Sequence, residues 1–384
     1  MDINEKLFKF IRNRDIEQIK ECLVKGANAN ARDKDTYSAL LWAIAFRPNF
    51  KIIKLLTEHG ADVNAPCRLK EEDASIEYPI VTMAREFASE FASEFVEQNS
   101  KEEDEEIIKF LIDKGADANT KDSNGHTPLQ WLCANDNKKS LDIVKYLIDK
   151  GANINTKDTH LGGTPLTWAI NKSEYSYNKE LIELLIDKGA DVNIKGENNH
   201  SPLHYSSMRG HLEITKLLID KGADINAKDC ENKTPLMYAC QSNALNTVKL
   251  LIDKGADINA KDCENKTPLM YVCSIYRSQL DDSDSKIALN IAKLLIDKGA
   301  DINAKDCNNE TPLMYACSRY MYELNDLNMA KLFIDKGADV NIKNNRNKTA
   351  FDFAEHKEIK NILKTKMQIK PKTKQKSNNF EMTM

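Results

Sequence analysis

Along most of the chain, apolar residues fall in short runs at helical spacing, each closed by glycine and followed by a polar stretch. Leu245–Lys254 is typical: Val248, Leu251 and Ile252 lie on one face of a helix. Gly255 follows, free to take the positive φ that closes a helix. Upstream, Thr234-Pro235 suits a helix start, because Thr accepts from free amides and Pro has no N–H to leave unpaired. Thr127-Pro128, Thr164-Pro165, Ser201-Pro202, Thr267-Pro268 and Thr311-Pro312 repeat it. The pattern predicts pairs of short helices joined by polar turns.

The pairs are copies of one unit. Gly222–Cys240 reads GADINAKDCENKTPLMYAC, and Gly255–Cys273 differs from it only at Val272 in place of Ala239. Gly299–Cys317 is a third near-copy. The glycine of the Gly-Ala-(Asp/Asn) turn recurs at 26, 60, 115, 151, 189, 222, 255, 299 and 337, with spacings of 34, 55, 36, 38, 33, 33, 44 and 38. The unit is therefore 33 residues, lengthened in some copies.

These residues resemble the ankyrin-repeat family, whose motif is a turn, then T-P-L-H-x-A and two helices. Ser201-Pro202-Leu203-His204-Tyr205 is the closest copy, with Gly210-His211-Leu212-Glu213-Ile214 and Leu217-Leu218 after it. The resemblance implies an all-α repeat solenoid of stacked helix pairs and hairpin-like turns, a curved elongated array. Two departures stand out. Asn199, Asn232, Asn265, Asn309 and Asn347 stand where the family has Gly, and Asn tolerates left-handed geometry next best. Gln130, Met237, Met270 and Met314 replace the motif's His, which puts its polar bracing in doubt.

Short helices of this kind bury their apolar faces only by stacking on neighbours. The expected repeat domain spans 1–365, with units 4–32, 33–65, 66–121, 122–157, 158–195, 196–228, 229–261, 262–305, 306–343 and 344–365. Residues 366–384 are expected to form a disordered, Lys-rich tail. Two insertions carry their own patterns. Phe87, Phe91 and Phe95 recur every four residues, beside nine acidic residues against one Lys between Glu86 and Glu106. A lengthened helix and a docking site for a basic partner are both open readings. The insertion at 274–290 reads as a polar loop off the stacking interface.

Composition narrows the function classes. A net charge of −4 argues against a broad nucleic-acid or anionic-membrane surface. No apolar run reaches the ~20 residues that span a bilayer. The first residues lack a basic-then-apolar leader pattern, so the cytosol is the default location, with delivery to a host cell by a non-classical route left open. Nine cysteines, an odd number, argue against a disulfide framework. Cys230, Cys263 and Cys307 share one register, and Cys133, Cys240, Cys273 and Cys317 another. Equivalent points on stacked helices lie about 8–10 Å apart, too far for zinc, whose sulfur ligands sit ~2.3 Å from the metal. His200 and His204 have i, i+4 spacing, but Ser201 caps the helix and leaves His200 outside it. No phosphate loop or nucleophile motif is present, so neither catalysis nor a cofactor is expected.

The resemblance implies a monomeric, protein-binding scaffold whose partner lies on a concave face of turn tips and first helices, with no small-molecule substrate. The tips contribute Cys230, Glu231, Lys233, Cys263, Glu264, Lys266, Asn308 and Glu310. The first helices add Met208, Arg209, Gln241, Ser242, Arg319 and Tyr320. A host protein is the expected target if the chain comes from an intracellular bacterium or a large virus. An adaptor or inhibitor of degradation machinery would need a second recruiting element. An enzyme would need a cleft residue unique to one repeat.

Overall fold

The computed structural model describes residues 2–34, 36–45, 48–68, 76–88, 100–134, 140–159, 162–171, 178–274, 282–318 and 326–368. The chain is an all-α repeat solenoid that divides into two compact units, Met1–Cys230 and Glu231–Met384. In the first unit the helices pair as α1 (Ile3–Asn13) with α2 (Ile16–Val24), α3 (Ala39–Ala45) with α4 (Phe50–Glu58), and α5 (Pro79–Ala88) with α6 (Ser100–Asp113). They continue as α7 (Pro128–Cys133) with α8 (Ser140–Asp149), α9 (Pro165–Asn171) with α10 (Lys179–Asp187), and α11 (Pro202–Met208) with α12 (Leu212–Asp220). The second unit pairs α13 (Pro235–Gln241) with α14 (Leu245–Asp253) and α15 (Pro268–Ser274) with α16 (Asp282–Asp297). It ends with α17 (Pro312–Cys317) beside α18 (Asp326–Asp335) and α19 (Ala350–Phe353) beside α20 (Lys357–Gln368). Among the described residues the only strands are β1 (Cys67–Arg68) and β2 (Ile76–Glu77), paired antiparallel.

Within each unit, first helices pack on first helices and second on second: α7 on α9 and α6 on α8, then α13 on α15 and α14 on α16. The Leu after each Pro (129, 166, 203, 236, 269 and 313) is almost wholly buried at these contacts. The Thr-Pro starts all open helices, and Thr127 Oγ1 caps as expected by accepting from the Gln130 amide at 3.3 Å, but the Thr234 and Thr267 hydroxyls do not make the expected cap bond. The turn asparagines 199, 232, 265, 309 and 347 take φ of 60, 60, 61, 59 and 57°, the left-handed geometry expected of them. Gly255, at φ 95°, closes α14.

The motif's His position is filled differently from repeat to repeat. His204 Nδ1 lies 2.8 Å from Ser201 Oγ, buried within its own repeat. Gln130 keeps the bracing: its Oε1 accepts from the Thr127 amide (2.8 Å) and its Nε2 donates to Gly163 O of the next repeat (2.6 Å). Met237 offers only sulfur to the Thr234 amide (3.4 Å), and the buried hydroxyls of Thr234 and Thr267 find no partner. The doubt about bracing therefore applies to the Met repeats and not to Gln130.

Two side-chain ladders tie successive repeats together. Asn193 Nδ2 donates to Gly222 O (3.0 Å) while its Oδ1 accepts from the Asp224 amide (2.9 Å). Asn64, Asn119, Asn155 and Asn259 repeat this clamp. On the second helices, Lys150, Lys188 and Lys221 pair with Asp113, Asp149 and Asp187 of the preceding repeat. These Lys partners hold the Asp113 and Asp149 carboxyls below the usual carboxylate range. Such exposed pairs set register more than stability.

Candidate binding surface

Several turns are built around one carboxylate. In the turn before α15, Asp262 Oδ1 accepts from the Glu264 and Lys266 amides, both at 2.8 Å, and the Asp262 amide donates to Lys266 O (3.1 Å). Its other oxygen accepts from the Tyr271 hydroxyl at 2.5 Å. Asp306 does the same with the Glu310 amide and Tyr315, while Asp33 and Asp122 use the indole N–H of Trp42 and Trp131. Asp158 receives Trp168 Nε1 (3.0 Å), an approach that needs Gly163: a Cβ there would stand 2.6 Å from that nitrogen. Burial, reinforced by the carboxylate acceptor, pushes the Tyr271 and Tyr315 hydroxyls well above the ordinary phenol range. Where the acid is replaced by Asn344, the aromatic nine residues on is Phe353, which has no donor. Acceptor charge and ring donor are lost together.

This pairing escaped the sequence reading. Its signal was the constant separation, Asp to aromatic, of nine residues at 33/42, 122/131, 262/271 and 306/315. The rings are half-buried to buried, on the first helices, beside the turn tips.

Backbone hydrogen bonds knit the tips into a row within each unit. The Cys230 amide donates to Asn198 O (2.8 Å) in the first. In the second, the Cys263 amide donates to Glu231 O and the Cys307 amide to Glu264 O, both at 2.8 Å, and the Asn345 amide to Asn308 O (2.9 Å). The side chains of Cys230, Glu231, Cys263, Glu264, Cys307 and Asn308 are left exposed along these rows.

The tip charges pair with each other. Lys233 Nζ lies 2.5 Å from Glu231 Oε2, and Lys266 pairs likewise with Glu264, whose carboxyl it holds below the usual range. Lys233 also sits 6.0 and 5.9 Å from the Tyr238 and Tyr271 ring centres. Glu310 is half-buried and accepts from Asn344 Nδ2 (3.1 Å).

The first-helix candidates are spread more unevenly. In the first unit, Met208 is half-buried and Arg209 is drawn back onto Asn171 at 3.3–3.4 Å. In the second, Gln241 and Ser242 are exposed, with Ser242 Oγ donating to Tyr238 O (3.0 Å). Arg319 and Tyr320 lie outside the described residues, as do Phe91 and Phe95 of the Phe-rich insertion, whose Phe87 is buried on α5. Residues 366–368 of the expected tail continue α20, and 369–384 lie outside the described residues.

All nine cysteines are free thiols. Burial pushes Cys133, Cys240 and Cys273 far above the ordinary thiol range, and Cys317 to about 12. Titration of the native protein with a disulfide reagent should consume three thiols quickly (Cys230, Cys263 and Cys307) and the other six only in denaturant. A fourth fast thiol would contradict the burial of the other six.

Among the described residues no group of three or more His, Cys, Asp or Glu is arranged to hold a metal ion. No helix there is long and apolar enough to cross a membrane. A family model described as ankyrin repeats (3 copies) matches residues 97–195, 173–262, 260–344 and 283–374. An ankyrin repeat protein of fowlpox virus (strain NVSL) is 44% identical over 59 residues. That match covers 15% of this chain and 8% of the viral protein's length. Ankyrin repeats are in general protein–protein interaction modules and in general not catalytic. The overlapping family matches and the stacked helix pairs agree: the chain belongs to the ankyrin-repeat family.

Proposed function

We propose that this chain is a non-catalytic scaffold that binds a partner protein through its turn tips and first helices. The observation that carries the reading is the tip row of the second unit. Its backbone groups are satisfied by one another, while Cys263, Glu264, Cys307 and Asn308 face solvent in fixed register. A rigid row loses little conformational entropy on binding, so its contacts are available for affinity. Half-buried tyrosines behind it, such as Tyr238 and Tyr315, are of the residue type that anchors interfaces. In this reading the tips Glu231/Lys233 and Glu264/Lys266 present alternating charge that selects the partner. The viral relative is the reason to seek that partner in animal-cell lysate.

The ion pairs within the tips dictate how the reading is tested. Reversing one charge would break a pair and disturb the turn. Reversing both keeps each pair and inverts only what the partner meets. The variant combining Glu231→Lys, Lys233→Glu, Glu264→Lys and Lys266→Glu should therefore keep its circular dichroism. It should retain a captured partner at least about tenfold less well in a pull-down. Equal retention by both proteins would overturn the placement of the site on the tips.

A further inference from the structure

The charge of this chain is unevenly placed. From Lys343 to the end there are eleven Lys and Arg against four Asp and Glu, whereas the first 342 residues carry 44 against 55. The overall −4 therefore joins a body of −11 to an end of +7. A polyanion repelled by the body can still be held at the end, and the net charge conceals this.

The described part of that end is the last repeat, where the turn changes sign. Lys343-Asn344-Asn345-Arg346-Asn347-Lys348 stands where residues 261–266 read Lys-Asp-Cys-Glu-Asn-Lys. Asn344 replaces the turn carboxylate, and Arg346 replaces Glu264, the partner of Lys266. Lys343, Arg346 and Lys348 are exposed and make no ion pair among the described residues.

The last helix, α20, adds a face of one sign. Ile359 and Leu363 are buried against the array, and Lys357, Lys360 and Lys364 follow at i, i+3 and i+7 on the opposite side. The rest of that outer stripe is Asn361 and Gln368, both exposed and neutral. None of the three lysines has an ion-pair partner among the described residues. The nearby carboxylates lie off the face: Glu358 on the flank pairs with Lys331 (2.6 Å), Asp352 accepts from the Thr349 amide (2.7 Å), and Glu355 precedes the helix. Counted at full charge, these three still stand against seven cations between Lys343 and Lys366.

We infer that the outer face of α20 binds the phosphate backbone of duplex nucleic acid, at a site separate from the tip row and of a different ligand class. Lys357 and Lys364 lie seven residues apart, about 10 Å along the helix axis, the span of roughly three successive phosphates on one strand. The helix holds its lysines in fixed register, so they meet such a lattice already ordered. Its apolar residues face the array, which leaves α20 nothing to insert into a lipid surface. No aromatic ring lies on the outer face to stack on unpaired bases, so the contacts read charge and not sequence.

A fluorescein-labelled DNA duplex of about 20 base pairs, followed by anisotropy with the full chain at about 50 mM salt, tests the inference. Saturable binding is expected, falling steeply as salt rises. The Lys357→Gln, Lys360→Gln, Lys364→Gln variant should weaken it at least about tenfold and lower the slope of log affinity against log salt by about 2–3. Arginine at the same three positions should restore both, which separates charge from any loosening of the helix. Lys20→Gln, Lys145→Gln and Lys249→Gln together remove equal charge from exposed positions on other second helices and should change affinity less than about twofold. The inference is overturned if no saturable binding occurs, or if the α20 variant binds normally. It is overturned equally if the control variant loses as much, or if polyglutamate or phosphatidylserine vesicles compete as well as unlabelled duplex at equal charge. None of these outcomes touches the tip row, whose own test alters residues 231–266.

Discussion

Asp262→Ala should lower the unfolding free energy by about 3 kcal/mol, the scale of a broken buried polar network. The substitution removes the acceptor for the Glu264 and Lys266 amides and for the Tyr271 hydroxyl. Tyr271 is only 8% exposed, so its hydroxyl loses a largely buried acceptor. Asp262→Asn is the internal control, because Asn344 already performs the backbone part of the role, accepting from the Arg346 and Lys348 amides at 3.0 Å. Asp262→Asn should therefore cost roughly a third as much as the alanine change. Urea unfolding followed by circular dichroism measures both. Equal losses for the two variants would mean that the negative charge, and not the backbone acceptance that Asn can also supply, carries the whole effect.

Phe333→Ala should cost about 3–5 kcal/mol, the range for deleting a buried aromatic side chain. Phe333 lies on α18 with no exposed surface, among the largest fully buried side chains of the protein. Stacked repeats share stability with their neighbours, so the loss should appear first as melting of the helices around α18 and not as uniform weakening. Val24→Ala makes the comparison: Val24 is 72% exposed, and its replacement should change stability by less than about 0.5 kcal/mol. A small effect at Phe333 would show that this end of the array does not rely on its core.

Much of this fold is legible because each repeat states it again. Thr-Pro starts, closing glycines and turn asparagines are local signals whose physics is complete within a few residues, and all three mark their elements in the structure, although the Thr234 and Thr267 hydroxyls do not make the cap bond. The Asp–aromatic bond was missed because it joins a turn to a helix nine residues on, beyond any local pattern. The Gln130 brace was missed for a related reason: its second partner, Gly163 O, belongs to the next repeat. The candidate surface was legible in part. Cys263, Glu264 and Asn308 do reach solvent, but spacing alone did not reveal that Glu231 pairs with Lys233, or that Arg209 folds back on Asn171.

The tips carry their own reporters for the central claim. Cys263 and Cys307 are exposed thiols on successive tips of the second unit, and Cys230 on a tip of the first. The decisive measurement is their alkylation rate, read by mass spectrometry with the captured partner present and absent. If the tip row is the binding surface, alkylation of Cys263 and Cys307 slows in proportion to occupancy while the buried thiols stay silent in both states. Unchanged rates at these thiols in an intact complex would contradict the account and place the partner elsewhere on the chain.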